Sequence, residues 1–194
     1  MQLIPFRTSS HKSHNIDLHT DRMILRRPVI DNFEEWRTLR ELSADFLRPW
    51  EPKWTDDELH KTTFKARLRN QDSQVNSGRG LFWFLFSREE NRLVGGISLS
   101  NIRRGIADTG TLGYWTGQPY AGQGYMKEAV NEVCVHAFGH EKLHRVEAST
   151  MLNNKRSQRL LYSCGFEKIG MAPGYLKIDG QWRDHFLFSR LQNR

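Results

Sequence analysis

The segment from Thr111 to Glu128, with the sequence TLGYWTGQPYAGQGYMKE, constrains the fold of this chain more than any other stretch. A short strand-like run leads into a loop that contains three glycines, and a long run with helical spacing follows at once. Glycine tolerates positive φ and close backbone approach, so successive amides of such a loop can point at one anion. The first turn of the helix adds free amides and a partial positive charge. The segment therefore predicts a strand–loop–helix unit that cradles a pyrophosphate.

This loop differs from the two common nucleotide-binding loops. It lacks the Gly-Lys-Ser/Thr of a P-loop, and it is too compact for the G-x-G-x-x-G fingerprint of a dinucleotide-binding fold. A plain glycine-rich turn between a strand and a helix is the structural alternative.

Patterning along the rest of the chain predicts alternating strands and helices. Capping-box spacings that begin at Asp31 and Thr55 predict two helices, and the aromatic run over residues 80–87 predicts a strand. Asp179-Gly180 predicts a hairpin near the C-terminus. The predicted order is β, α, α, β, β, β, α, β, α, β, β, which indicates an α+β fold with an α/β-type mixed sheet flanked by helices. We expect one domain over residues 1–194, with the unpatterned residues 1–16 as a loose arm.

Composition narrows the class of protein. The net charge of +7 favours binding to acidic or phosphate-rich partners. The alternative interpretation is that the charge only keeps the protein soluble. Cys134 and Cys164 lie within apolar helical patterns, which favours a reducing cytoplasm and disfavours a disulfide scaffold, a metal cluster or a covalent cysteine intermediate. No apolar run reaches the length of a membrane span, and the N-terminus does not have the pattern of a secretion signal.

Taken together, these motifs resemble the GNAT acetyltransferases over nearly the whole chain. The resemblance is carried by the glycine loop between a strand and a helix, by N-x-x-S at Asn154–Ser157, and by the Gly-Phe pair that follows the next helix. The loop pattern of the family, Q/R-x-x-G-x-G/A, has Ala121 and Met126 at its first and last positions. Within the family, RPWEP at 48–52 and DGQWRDH at 179–185 are similar to enzymes that acetylate ribosomal proteins.

The resemblance implies an α-helix-flanked sheet that binds acetyl-CoA as a cosubstrate, without a metal. It also implies that backbone amides of the strand and of the loop hold the donor. The cofactor-binding residues that it predicts are Gly113, Tyr114, Trp115, Thr116, Ala121, Gly122, Gln123, Gly124, Tyr125, Met126, Asn154 and Ser157.

Ser157 is the leading candidate for a catalytic residue. It shares the inward face of its predicted helix with Leu161 and Cys164, in the first turn. The resemblance implies that its hydroxyl meets the CoA sulfur and stabilises the departing thiolate. The alternative is a serine that satisfies a free amide at the helix start. Asn154 has two interpretations as well, an N-cap by composition and a pantetheine contact by resemblance.

The tyrosine that many GNAT enzymes use as a general acid is displaced in this sequence. The family places it seven residues after the asparagine, a position that Leu161 occupies here. Tyr162 comes one residue later, about 100° around the helix.

Glu51 is the second candidate for a catalytic residue, as a general base beside Trp50. Asp184, His185 and Glu147 are further candidates, and each of the four can equally be a surface charge or a structural pair. A free α-amine has a pKa of about 8, so roughly a tenth is neutral at pH 7, against about one part in a few thousand for lysine. An enzyme that acts on α-amines therefore needs little help from a base.

The resemblance predicts transfer of an acetyl group from acetyl-CoA to the N-terminal α-amine, an alanine, of a small-subunit ribosomal protein through a ternary complex. Its expected partners are acetyl-CoA and the ribosomal protein N-terminus or the ribosome, with no membrane, and the protein is expected to be a cytoplasmic monomer or homodimer. Two alternatives are open. One keeps the chemistry but acetylates another amine, on a small molecule or another protein. The other is a non-catalytic ribosome- or RNA-binding module.

Overall fold

A computed structural model describes residues 16–192 of the chain, in which eight strands form one mixed sheet flanked by five helices. The strands are β1 (Leu18–His19), β2 (Met23–Arg26), β3 (Leu81–Ser87), β4 (Leu93–Arg103), β5 (Thr109–Thr116), β6 (Arg145–Met151), β7 (Glu167–Ile178) and β8 (Gln181–Leu191). The helices are α1 (Phe33–Leu42), α2 (Ala44–Leu47), α3 (Lys61–Asn76), α4 (Tyr125–Gly139) and α5 (Lys155–Ser163). The predicted α+β class is confirmed.

The sheet has the strand order β1-β2-β3-β4-β5-β6-β8-β7. Its neighbours are antiparallel except for β5 and β6, which are parallel. Parallel neighbours need a crossover connection, and α4 supplies it. The glycine loop follows the C-terminal end of β5, beyond the three positions at which β5 pairs with β6.

Two hydrophobic cores lie on the two faces of the sheet. Leu81, Trp83 and Leu85 of β3 belong to a core with α4 and α5, whereas Phe84 and Phe86 belong to a second core with α1 and α3. Successive side chains of a strand point to opposite faces, so β3 is buried on both. Burial on both faces explains why its sequence is a continuous apolar run without alternation.

The C-terminal hairpin follows the prediction from Asp179-Gly180. Ile178 pairs with Gln181, which leaves a two-residue turn. Asp179 has φ of +45° and Gly180 has φ of +76°. Positive φ at both central residues is the geometry that Asp-Gly favours in tight hairpins.

Helices α1 and α3 begin later than the capping boxes predict. A 3₁₀ turn over Ile30–Asn32 precedes α1. The segment from Thr55 forms turns rather than helix, because the hydroxyls of Thr55 and Thr63 both donate to the Asp57 carboxylate. Such side-chain bonds compete with a helical start, and they shift the beginning of α3 to Lys61.

The N-terminal arm predicted for residues 1–16 lies outside the described residues, apart from Ile16. The Ile16 carbonyl accepts a hydrogen bond from Trp83 Nε1 at 2.8 Å. In the described part of the chain, every helix is too short or too polar to cross a membrane.

Candidate active site

The parallel pair β5 and β6 opens into a cleft. Within residues 16–192 the two strands pair at three positions, Thr109 with Arg145, Gly110 with Val146 and Thr111 with Glu147. Beyond Thr111, β5 continues along β4 as far as Thr116, while β6 continues along β8 as far as Met151. The two halves of the sheet therefore diverge where residues 113–116, predicted to bind the cofactor, are found.

The glycine loop closes one end of this cleft. Gly122 and Gly124 have φ of +80° and +87°, in the left-handed region that other residues avoid. A β-carbon placed on Gly122 would meet no atom within 4 Å, so the backbone there faces open space. Gly124 is the N-cap of α4, and its carbonyl accepts bonds from the Lys127 and Glu128 amides, which leaves the amides of Tyr125 and Met126 without an acceptor in the helix. Open space beside free amides is the arrangement that an anion needs.

Arg22, which immediately precedes β2, supports the loop. Its Nε lies 2.6 Å from Glu128 Oε1, and its Nη2 donates to the Gln123 carbonyl at 3.0 Å. The guanidinium also covers the Tyr125 ring, 4.5 Å from the ring centre. Thr20 completes the arrangement by donating to the second oxygen of Glu128 at 3.0 Å. These contacts fix the loop to the first turn of α4.

Ser157 and Tyr114 bridge the cleft from its two sides. The side chain of Asn154 caps α5 and accepts a hydrogen bond from the Ser157 amide at 3.1 Å. The Ser157 hydroxyl in turn lies 2.7 Å from the Tyr114 hydroxyl on β5. Burial raises the pKa of Tyr114 to about 12, although the bond with Ser157 acts in the opposite direction. Tyr114 therefore keeps its proton at neutral pH.

The tyrosine on α5 lies elsewhere. Leu161 is fully buried in the core, and Tyr162 is 53% exposed with its ring edge against Phe188. The hydroxyl that meets Ser157 comes from the strand and not from this helix.

Glu51 is held in a network on the other face of β5. Both of its carboxylate oxygens bind Arg40, at 2.7 and 2.5 Å, and one also accepts a bond from Trp54 Nε1 at 2.8 Å. Arg40 is 3% exposed and lies between the rings of Trp54 and Trp115, 4.4 and 5.1 Å from their centres. The Glu51 carbonyl accepts a bond from the Asp179 amide at the hairpin tip, at 2.9 Å. These contacts favour a structural role for the Glu51 carboxylate.

The three other candidate bases also have partners. Glu147 forms an ion pair with Arg103 at 3.7 Å, and Asp184 accepts a bond from the Gly174 amide at 2.8 Å. His185 is buried, and its Nδ1 donates to the Arg183 carbonyl at 2.8 Å. A carbonyl oxygen can only accept, so the hydrogen of this bond is on Nδ1, and Nε2 is the ring nitrogen left for another partner.

Both cysteines are buried in the core, as predicted. Burial raises the pKa of Cys134 to about 12, and it also raises the pKa of Cys164. A thiolate nucleophile requires the opposite shift. The chemistry of these side chains argues against a covalent acetyl-cysteine route.

Comparisons with known proteins agree with this geometry. The family model described as an acetyltransferase (GNAT) domain matches residues 22–167. The chain belongs to the GNAT acetyltransferase family.

The relatives and solved structures of this GNAT protein include ribosomal-protein acetyltransferases. It is 37% identical to the [ribosomal protein uS5]-alanine N-acetyltransferase of Escherichia coli K12 over 175 residues, which is 89% of each chain. It matches the structure of a ribosomal-protein-S5-alanine acetyltransferase from Vibrio fischeri with a TM-score of 0.84 and 28% identity, covering 92% of this chain and 97% of the other. It matches RimJ of Mycobacterium smegmatis, in complex with CoA-disulfide, with a TM-score of 0.82 and 27% identity, covering 87% and 81%.

The protein is accordingly an N-acetyltransferase, and acetyl-CoA is the donor that GNAT acetyltransferases use. The site suits such a donor in three ways. The cleft offers an unpaired strand edge to an extended chain, the α4 N-terminus offers amides to phosphates, and Ser157 offers a hydroxyl at the cleft.

One group of potential metal ligands occurs among the described residues, away from this cleft. Side-chain atoms of His136, His140 and Glu141 lie within 4.8 Å of one another. Arg104 binds the same Glu141 carboxylate, and its positive charge opposes a cation there.

Sequence reasoning missed two features of the GNAT site. Arg40 was not singled out, because a charged residue in an amphipathic helix is ordinarily solvated. The hydroxyl contact between Tyr114 and Ser157 was also missed, since the two residues are 43 positions apart. The sequence did identify the two segments that contain these residues, the N-x-x-S motif for Ser157 and the strand before the glycine loop for Tyr114.

Proposed function

We propose that this enzyme transfers the acetyl group of acetyl-CoA to the N-terminal α-amine of a small-subunit ribosomal protein, with alanine as the acceptor residue, in the cytoplasm. The proposal is supported by the 37% identity over 89% of both chains to an enzyme named for the alanine of ribosomal protein uS5. The net charge of +7 suits an acceptor that is bound to ribosomal RNA.

Residues 121–126 hold the pyrophosphate of the donor. The left-handed glycines turn the loop so that its amides and those of the α4 N-terminus converge. Their donors are backbone groups, so Ala121 and Met126 can occupy positions where the family has other side chains. Arg22 keeps the loop in this shape through Gln123 and Glu128.

The open edge of β5 holds the pantetheine and the thioester. Residues 113–116 supply backbone groups to the extended chain, and an amide there stabilises the carbonyl oxygen as negative charge develops. Asn154 fixes the start of α5 and supports the pantetheine from the opposite wall.

The reaction is a direct transfer within a ternary complex. Acetyl-CoA supplies an acetyl group that is bound to sulfur as a thioester. The amine nitrogen forms a bond to the acetyl carbon, the carbon–sulfur bond breaks, one proton leaves the nitrogen and one proton arrives on the sulfur. Ser157 donates a hydrogen bond to the sulfur as it departs, from the first turn of α5.

An α-amine is the acceptor that this site suits. Deprotonating it at pH 7 costs about 1 kcal/mol, against about 5 kcal/mol for a lysine side chain. The carboxylates of Glu51, Glu147 and Asp184 all have polar partners, so none is free to serve as a strong base. A water molecule hydrogen-bonded to one of these polar groups, or to His185 Nε2, is sufficient for an amine that is already a tenth neutral.

The test is release of CoA thiol from acetyl-CoA in the presence of defined peptides. One peptide begins with alanine, a second has the same sequence with its α-amine blocked, a third begins with serine, and a fourth carries a lysine behind a blocked N-terminus. We expect turnover with the free alanine peptide and little with the others. Turnover on lysine, on serine alone or on small amines would show that the proposed acceptor is wrong, while the assigned fold and acetyl-transfer chemistry would stand.

A large folded acceptor requires a second arm of the same test. Small ribosomal subunits stripped of N-terminal acetylation are incubated with labelled acetyl-CoA, and the modified protein is identified by mass spectrometry. Label on an N-terminal alanine supports the proposal, and label on another site or on no protein contradicts it. Ser157→Ala is the matched inactive variant, in which turnover falls about 100-fold while donor affinity changes little.

A further inference from the structure

We propose that Tyr114 is a positioning residue for the leaving thiol. Its phenol donates a hydrogen bond to Ser157 Oγ, so that the serine directs its own hydroxyl hydrogen towards the CoA sulfur. The inference rests on the thiol-side role of Ser157 proposed above, and it adds a function that the N-x-x-S motif does not contain.

The geometry places the two hydroxyls on rigid elements from opposite walls of the cleft. Tyr114 belongs to β5, where it pairs with Ile97 of β4. Ser157 belongs to the first turn of α5, whose amide is fixed by Asn154 Oδ1 at 3.1 Å. The oxygens are 2.7 Å apart, the ordinary length of an O–H···O hydrogen bond. Neither residue can rotate freely without breaking this bond.

The bond has a preferred direction. A phenol is a stronger donor than an alcohol because it is the more acidic hydroxyl, and the alcohol oxygen is the better acceptor. Burial of Tyr114 raises its pKa to about 12, which keeps the phenol in its donor form throughout the working pH range. Ser157 then has one hydrogen left, and it can be donated only to a second acceptor. A hydroxyl that accepts one hydrogen bond is polarised and donates a stronger one.

No proton needs to leave Tyr114. The pKa of a simple thiol is about 8.5, well below that of the buried phenol, so transfer of the tyrosine proton to the thiolate is uphill. The proton that ends on the sulfur comes from the attacking amine, and the two hydroxyls stabilise the thiolate until it arrives. Tyr114 thus orients a donor and is not itself the acid.

This arrangement accounts for the missing tyrosine of the family pattern. The expected position on α5 is Leu161, which is fully buried, and the neighbouring Tyr162 lies half-exposed against Phe188. In this protein a tyrosine from β5 and a serine from α5 together place a hydroxyl in the cleft. In the family pattern a single tyrosine on α5 has that role.

The decisive measurement is the pKa of the CoA thiol while it is bound. The thiolate is followed by its ultraviolet absorbance, with the desulfo-CoA complex of the same variant as a blank so that ionising tyrosines cancel. We expect a thiol pKa below that of free CoA in the unmodified enzyme. Tyr114→Phe should raise it by about one unit, a tenfold loss of thiolate stabilisation, and Ser157→Ala should raise it further.

A double-mutant test of the coupling between the two hydroxyls distinguishes a positioning role of Tyr114 from a role in packing alone. The double variant Tyr114→Phe/Ser157→Ala should have the thiol pKa and turnover of Ser157→Ala alone, because Tyr114 acts only through the serine. Tyr162→Phe is the matched control, since it removes one hydroxyl from a tyrosine five residues beyond Ser157 and should leave both quantities unchanged. Thermal unfolding of each variant checks that the fold is intact.

Two results would overturn the proposal: an unchanged thiol pKa in Tyr114→Phe, or effects of the two substitutions that add in full. The thiol titration involves no acceptor, so it is independent of which amine the enzyme acetylates. A shifted thiol pKa in an enzyme that ignores ribosomal proteins would refute the proposed acceptor and support the role of Tyr114.

Discussion

Arg40 and Glu51 form a two-point ion pair that joins four parts of the structure. The guanidinium comes from α1, and the carboxylate comes from the segment after α2, with N–O distances of 2.7 and 2.5 Å. Trp115 packs against the guanidinium from β5, and the Glu51 carbonyl binds the hairpin tip through the Asp179 amide. The pair therefore connects the end of β5 to α1, to the segment after α2 and to the hairpin tip.

Glu51→Ala should lower the free energy of unfolding by about 3 kcal/mol. The substitution removes the two-point partner of the buried Arg40 and leaves it only the more distant Glu58 carboxylate, at 4.0 Å, and a poorly compensated buried charge is costly. The measurement is denaturant unfolding, with Glu41→Ala as the control. Glu41 is 64% exposed and pairs with Arg37 at 3.4 Å, so its removal should cost less than about 1 kcal/mol. Equal losses in the two variants would show that burial of Arg40 is not what makes the pair important.

Glu51→Gln tests whether the carboxylate is a general base or has only a structural role through its contacts with Arg40 and Trp54. We expect kcat/KM to fall less than about tenfold and to keep its rise with pH, because that rise follows deprotonation of the acceptor α-amine, with a pKa of about 8. A general base contributes about 10²- to 10⁴-fold. A loss of that size together with a flattened pH profile would restore the prediction that Glu51 is catalytic.

Gly122→Ala should weaken acetyl-CoA binding by at least about tenfold. The new methyl group would enter the open space beside the loop backbone, where the phosphates are proposed to lie. Gly105→Ala is a matched control, because Gly105 also has positive φ, +82°, and a β-carbon there also meets no atom within 4 Å. Both substitutions impose similar backbone strain, of order 1 kcal/mol. Calorimetric titration with CoA should distinguish the two variants. Equal CoA affinities would contradict the assignment of residues 121–126 to the donor site.

The ionised Glu141 carboxylate should stabilise the folded protein at neutral pH, and this stabilisation should be lost in acid. Its burial would raise the pKa of the carboxyl, but the His136 ring, with Nε2 3.6 Å from the carboxylate, and the bound Arg104 guanidinium outweigh burial and lower the pKa from 4.5 to about 2. A lowered folded-state pKa stabilises the protein above pH 4.5, and the contribution is lost as the pH falls towards 2. It amounts to about 3 kcal/mol. In Glu141→Gln, stability should fall less steeply over this range, as followed by urea unfolding at a series of pH values. Parallel curves for the two proteins would contradict the assignment.

The strand–loop–helix unit could be predicted from sequence because its signals are local. Glycines at 122 and 124, a preceding strand and an amphipathic helix all lie within one short segment, and the structure gives both glycines positive φ. The Asp179-Gly180 turn is predictable for the same reason.

Features that depend on distant packing were not accessible in this way. Arg40 is buried only because Trp54 and Trp115 cover it, and its helix otherwise has the charge pattern of a solvated face. The same holds for Tyr114, whose partner hydroxyl comes from an element formed 43 residues later. The capping box at Thr55 misplaced the start of α3 for a local reason, since Asp57 binds two threonine hydroxyls and stabilises turns instead.

The divergence of β5 from β6 also makes the cleft observable in solution. In a strand with one paired edge, alternate backbone amides point away from its neighbour, and between residues 112 and 116 that direction leads into the cleft. Those amide hydrogens should exchange quickly with deuterium in the free enzyme and slowly when an extended donor lies along the same edge. Exchange rates at these few residues would then measure the filling of the donor site directly, before any acceptor is known.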